Sequence, residues 1–155
     1  MEPTTFYRAP SIVLAKLDQL FSILQEAKNK FEQIASTLKN KQVQQTVISL
    51  AQESRQYASE LGSQIESLGG EPQKSYYEHE LRGKACQAGE WKILDAEKDS
   101  LKICEMSEKS MMQAYREVLN EPFLLEGIRK MIRYQLNGIM CAFVQLRLLN
   151  ASLRR

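Results

Sequence analysis

A chain of 155 residues, 43% hydrophobic and 26% charged, is long enough for one domain with a buried core. Its 21 basic and 19 acidic residues are intermixed and leave a formal charge of +2, which argues against a surface that wraps nucleic acid or an anionic membrane. No apolar run approaches the ~18 residues of a membrane span, the opening "MEPTTFYRAPS" lacks a secretory signal's basic flank and apolar core, and cysteines without a C-x-x-C pair suit a reducing cytoplasm.

Prolines at 3, 10, 72 and 122 punctuate the chain, and between them apolar residues recur at helical spacing. After a tail over 1–10, a single domain over 11–155 is expected. Its first helix, about 11–38, carries Leu17, Leu20, Leu24, Ala27, Phe31, Ile34 and Leu38, alternately three and four apart like a bundle seam. "KNKQ" (39–42) breaks the pattern. The second helix, about 42–68, carries Val47, Leu50, Ser54, Tyr57, Ala58, Leu61, Ile65 and Leu68, and stops at "GGEP" (69–72), where glycines end a helix and a proline prevents its continuation. A third helix is predicted over about 90–119, with Leu94, Leu101, Cys104, Glu108, Met111, Met112, Tyr115 and Leu119 on its stripe. "NEP" (120–122) reads as a tight connection that puts Pro122 in the first turn of a fourth helix, 122–153. That helix shows Leu125, Ile128, Ile132, Gln135, Ile139, Ala142, Leu146 and Leu149.

Two connections are tight, as between antiparallel neighbours, whereas 70–89 is a long crossover carrying Tyr76, Tyr77 and Leu81. About 20 extended residues reach some 66 Å, more than the roughly 40 Å length of such helices. Two antiparallel helical hairpins joined by one long crossover form an all-α, ferritin-like four-helix bundle.

That topology often holds two metals through a Glu on two helices and Glu-x-x-His on the other two. Here the lone histidine, His79, lies in the crossover, so two such motifs cannot be built. The inward slots read Leu24, Ser54 with Tyr57, Glu108, and Gln135 followed by Gly138; Glu26, Glu53, Gln56 and Glu105 read as solvent-facing. Glu108, Gln135, Ser54, Tyr57 and Tyr115 are therefore expected to form a core polar cluster, with Glu108 hydrogen-bonded to Gln135, Ser54 or a tyrosine hydroxyl and no cofactor. The alternative is a metalloprotein or oxidoreductase holding iron or manganese on Glu108 and Gln135, assisted by Tyr57 or Tyr115. Cys104 and Cys141 read as buried free thiols, and Met106, Met111 and Met112 as fillers of core gaps. No Gly-rich phosphate loop or nucleophile motif is present. On the fourth helix Leu136, Met140, Phe143 and Val144 form a second stripe, read either as a core face covered by the crossover or as a homodimer or protein-partner interface.

"LAQESRQYASELGSQIESLGGEP" (50–72), Trp91 and "CEMSEKSMMQAYREVL" (104–119) resemble a bacterial ferritin-like family known as a domain of unknown function, whose second helix ends in Leu-Gly-Gly-x-Pro. The resemblance spans roughly 17–150 and implies a single four-helix bundle in a bacterial cytoplasm. The family has a histidine on the last helix where this chain has Phe143 or a neighbour, and an Asp-Gly pair where it has Glu26 and Ala27. The combined expectation is a non-catalytic bundle with a degenerate dinuclear site, acting through association with itself or another protein.

Overall fold

The alternating three-and-four spacing of the first apolar stripe requires a helix, and one forms over Ser11–Thr37 (α1). All seven expected stripe residues, from Leu17 to Leu38, are buried. The computed structural model describes residues 9–72 and 97–153. These residues contain three further helices, α2 over Lys41–Ser67, α3 over Glu97–Leu119 and α4 over Glu126–Leu153, with no strand among them. The expected crossover beyond Pro72, including Tyr76, Tyr77, His79, Leu81 and Cys86, lies outside the described residues, as do Trp91 and Leu94 in the expected start of the third helix and the tail before Ala9.

Asn40 starts α2: its side-chain oxygen accepts the Val43 N–H at 3.1 Å, satisfying a donor that the first turn leaves orphaned. Gln44 Nε2 donates to the carbonyl of Ala35 at 2.9 Å and ties the new helix to the old one. At the far end, Gly70 N–H reaches the carbonyl of Ile65 at 2.8 Å and Gly69 N–H that of Glu66 at 3.1 Å. This paired closure needs a left-handed residue, and Gly69 supplies it with φ of 92°.

The junction between α3 and α4 departs from the sequence reading. Pro122 lies in a turn, and α4 begins at Glu126, with Arg129 N–H on the carbonyl of Leu125. The cause is Glu121, whose carboxylate accepts the Phe123 N–H at 2.9 Å and a bond from Lys16 Nζ at 3.2 Å. Folding that side chain back over its own backbone holds 121–125 in a turn. Leu124 rather than Leu125 then enters the core, and Leu125 is exposed.

Around the bundle, α1 packs on α2 and α3, and α4 packs on the same two helices, so α1 and α4 face each other across the core. Phe31 and Phe143 span that diagonal edge to face, with ring centroids 5.9 Å apart. Between α1 and α2 the contacts join Ala9 to Leu68, Leu14 to Gly70, Phe21 to Gly62 and Ala35 to Gln44. Between α3 and α4 they join Leu119 to Arg129, Tyr115 to Gln135 and Glu108 to Arg147. One continuous apolar core results. Each fully buried Leu, Ile or Phe contributes roughly 1.5–3 kcal/mol relative to its exposed state.

Candidate functional site

Gln135 is fully buried on α4, where an amide is tolerated only if its groups find partners. They do. Its Oε1 accepts from the Tyr115 hydroxyl at 3.1 Å, and its Nε2 donates to the carbonyl of Tyr57 at 3.3 Å and to Glu60 Oε1 at 3.1 Å. This layer links α2, α3 and α4 through one side chain. Burial pushes the Tyr115 hydroxyl well above its ordinary pKa, reinforced by Tyr57, Glu60 and Glu53, so it stays a donor at any physiological pH.

Of the five residues expected to cluster, Gln135, Tyr115 and Tyr57 meet in this layer, and Glu60 joins them without having been anticipated. Ser54 is buried, but its hydroxyl turns back to the carbonyl of Leu50 at 2.8 Å within its own helix. Glu108 does not join. Its half-buried carboxylate receives Arg147 Nη1 on both oxygens, at 2.5 and 2.6 Å, on the solvent side of the α3–α4 contact. The reason lies in the phase of α3. The core face runs Cys104, Ser107, Met111, Ala114, Tyr115 and Val118, so small Ser107 takes the inward slot and the charged neighbour swings to the rim.

Other assignments change in the same way. Phe143 belongs to the core and not to the second stripe, and Leu136 is partly buried against that core. Met140 and Val144 remain exposed at 45% and 43%, and Leu148, four residues on, is 66% exposed. Met111 is buried and Met112 partly so, but Met106 is exposed. Cys104 is buried, and desolvation, helped by Glu105, pushes its thiol up to about 12; Cys141 is exposed, against expectation.

A groove of about 770 Å³ opens between α2 and α4. Tyr57, Tyr134, Gly138 and Cys141 line one end of it, Gln42 and Leu149 the other, and Glu53 lies between them. Gly138 permits this packing, because a Cβ there would collide with the Tyr57 hydroxyl and lie 3.2 Å from its Cζ. Burial pushes the Tyr57 hydroxyl up to about 12, with Glu53, Tyr134, Glu60 and Cys141 adding to the effect. Glu53, read from sequence as solvent-facing, has one carboxylate oxygen shut off from solvent with no hydrogen-bond partner among the described residues. Burial raises its pKa.

A second ionic junction closes the α1 end of the bundle. The Phe123 N–H holds the Glu121 carboxyl below its usual range, with help from Lys16 and Arg129 and against partial desolvation. Arg129 reaches the carbonyls of Leu119 and, at 2.9 Å, Glu121, satisfying acceptors left at the end of α3. Its capping role depends on a turn geometry that spacing does not reveal.

Residues 12–121 match the model of the family described as Domain of unknown function (DUF2383). The chain belongs to the DUF2383 family. No curated protein and no solved structure matches it. The DUF2383 match takes in α1, α2 and α3 and ends at Glu121, so Ser54, Tyr57, Glu108 and Tyr115 fall inside it, whereas Gln135 and Arg147 of α4 lie beyond. Among the described residues of this DUF2383 chain, no three His, Cys, Asp or Glu side chains group to hold a metal ion, and no helix is long and apolar enough to cross a membrane.

Proposed function

We propose that this chain is a ferritin-like bundle, built from two antiparallel hairpins, that acts by association with a second copy of itself and not by catalysis. The hairpin reading rests on the paired contacts, which descend along one helix as they ascend the other: 9 with 68 and 35 with 44, then 119 with 129 and 108 with 147. The observation that carries the association reading is the row Met140, Val144 and Leu148, one turn apart on α4 and exposed, on a helix whose opposite face is fully packed. A row with this spacing is self-complementary. About a two-fold axis near Val144, Met140 of each copy meets Leu148 of the other, the isologous geometry of most homodimers.

Support for leaving iron and manganese out comes from the donors themselves. Both Glu108 oxygens are taken by Arg147, and the Gln135 amide spends its groups on Tyr115, Tyr57 and Glu60. Amide and phenol groups already hydrogen-bonded do not fit metals that favour carboxylate and imidazole. Sedimentation equilibrium of the full chain is expected to give a reversible dimer. A strict monomer at high concentration overturns the association reading, and stoichiometric iron or manganese in the purified protein overturns the non-catalytic one.

A further inference from the structure

The groove between α2 and α4 contains a carboxylate that its surroundings do not neutralise. Other half-buried or buried carboxylates among the described residues meet a cation or an amide: Glu108 meets Arg147, Glu121 meets Lys16, Glu26 meets Lys30 at 3.2 Å, and Glu60 receives the Gln135 amide at 3.1 Å. Glu53 differs. One of its oxygens is shut off from solvent without a donor among the described residues, a condition that costs free energy unless something supplies an N–H or O–H.

The rest of the lining narrows what that donor could be. From Gln42 to Tyr57 the groove follows α2 for roughly 22 Å. Its walls carry amides and hydroxyls, with two tyrosines and Cys141 near Gly138, and among the described residues Glu53 is the one lining residue with a formal charge at neutral pH. An anion would meet a carboxylate and no Lys or Arg. A divalent cation would need several oxygen ligands, and the described lining offers a single carboxylate. A neutral polar ligand could use the amides but would leave the Glu53 charge uncompensated. An ammonium supplies both charge and donors, and the two tyrosine rings offer faces that attract it.

We propose that the α2–α4 groove binds an elongated organic amine, with its ammonium on Glu53 beside Tyr57 and Tyr134 and its chain along the amide-lined groove. Burial raises the Glu53 pKa, and a bound ammonium would pull it back down. A carboxylate kept for binding is also a carboxylate that weakens the fold by itself, so its isosteric amide should fold at least as well.

The test is an amide-resolved NMR titration of the full chain at pH 7.5 with 1,5-diaminopentane, using pentan-1-ol and pentanoate as controls. Saturable shifts are expected at Ser49, Glu53, Tyr57, Gly138 and Cys141 with the diamine alone. Glu53→Gln is expected to weaken binding by roughly 10- to 100-fold, the loss of one charge-assisted hydrogen bond, while unfolding at the same or a higher temperature. Cys141→Trp, at an exposed position in the groove, should block binding without touching the carboxylate. The proposal is overturned by shifts scattered over surface carboxylates outside the groove, by equal binding in Glu53→Gln, or by a Glu53→Gln protein that unfolds at a lower temperature.

Discussion

At the scale of single residues, Gln135 shows how a buried amide can join three helices without a charge. Removing the hydroxyl that serves it in Tyr115→Phe leaves Oε1 with no donor inside a closed core, at a cost of about 1–3 kcal/mol. Adding Gln135→Leu to that variant removes the stranded acceptor, so the double mutant should lose less than the sum of the single losses in urea-unfolding midpoints. The two displaced carboxylates give opposite pH signatures. The Glu53 pKa is raised on folding, so its contribution is intact below about 4.3, the unfolded value, and is lost as pH rises through the folded value. Glu53→Gln should therefore gain on the native protein between pH 4 and pH 7. The Glu121 pKa is lowered, chiefly by the Phe123 N–H, so its contribution is present above the unfolded value and disappears as pH falls through the folded one. Glu121→Gln should cost stability at pH 7 and progressively less below pH 4, read from the same unfolding curves. Neither carboxylate stood out in the sequence, because each shift depends on what another segment brings to it.

At the scale of elements, α1 and α2 were legible because their apolar stripes are unbroken and their ends carry glycine or asparagine signals that act locally. The phase of α3 was not, since both Ser107 and Glu108 fit a three-and-four spacing and only the packing of α3 in the bundle decides between them. The start of α4 was misread because Pro122 suits a first helical turn as well as it suits a tight turn. The contact between α2 and α4 has its own test at Gly138. Alanine there gains about 1 kcal/mol of helix propensity but drives its Cβ into the Tyr57 ring, whose hydroxyl is the nearest obstacle. Overpacking of this kind costs about 1–3 kcal/mol, so Gly138→Ala should be net destabilising in thermal unfolding. Tyr57→Phe removes the nearest atom, and the pair should couple favourably in a double-mutant cycle.

At the scale of the whole molecule, the four described helices and the two short connections followed from punctuation and periodicity, but which apolar residues of α4 were surplus did not. Phe143 looked as free as Val144 until Phe31 was brought opposite it across the bundle. Apart from Tyr134 at the groove, what remains outside on α4, Met140, Val144 and Leu148, occupies one exposed line, and Arg147 beside it is held toward Glu108 on α3. If two copies meet along that line, Val144 lies at the symmetry axis and faces itself. Val144→Glu would then set two carboxylates together, and like charges in such a contact cost several kcal/mol. Because Val144 is exposed in the single chain, the same change should alter its own folding stability by no more than about 0.5 kcal/mol. Sedimentation should therefore show the variant as a monomer where the native chain dimerises, with unchanged urea unfolding at concentrations where both are monomeric. A compensating Val144→Lys chain, mixed with Val144→Glu, should restore a mixed dimer. Monomer behaviour in that mixture would place any contact away from this row.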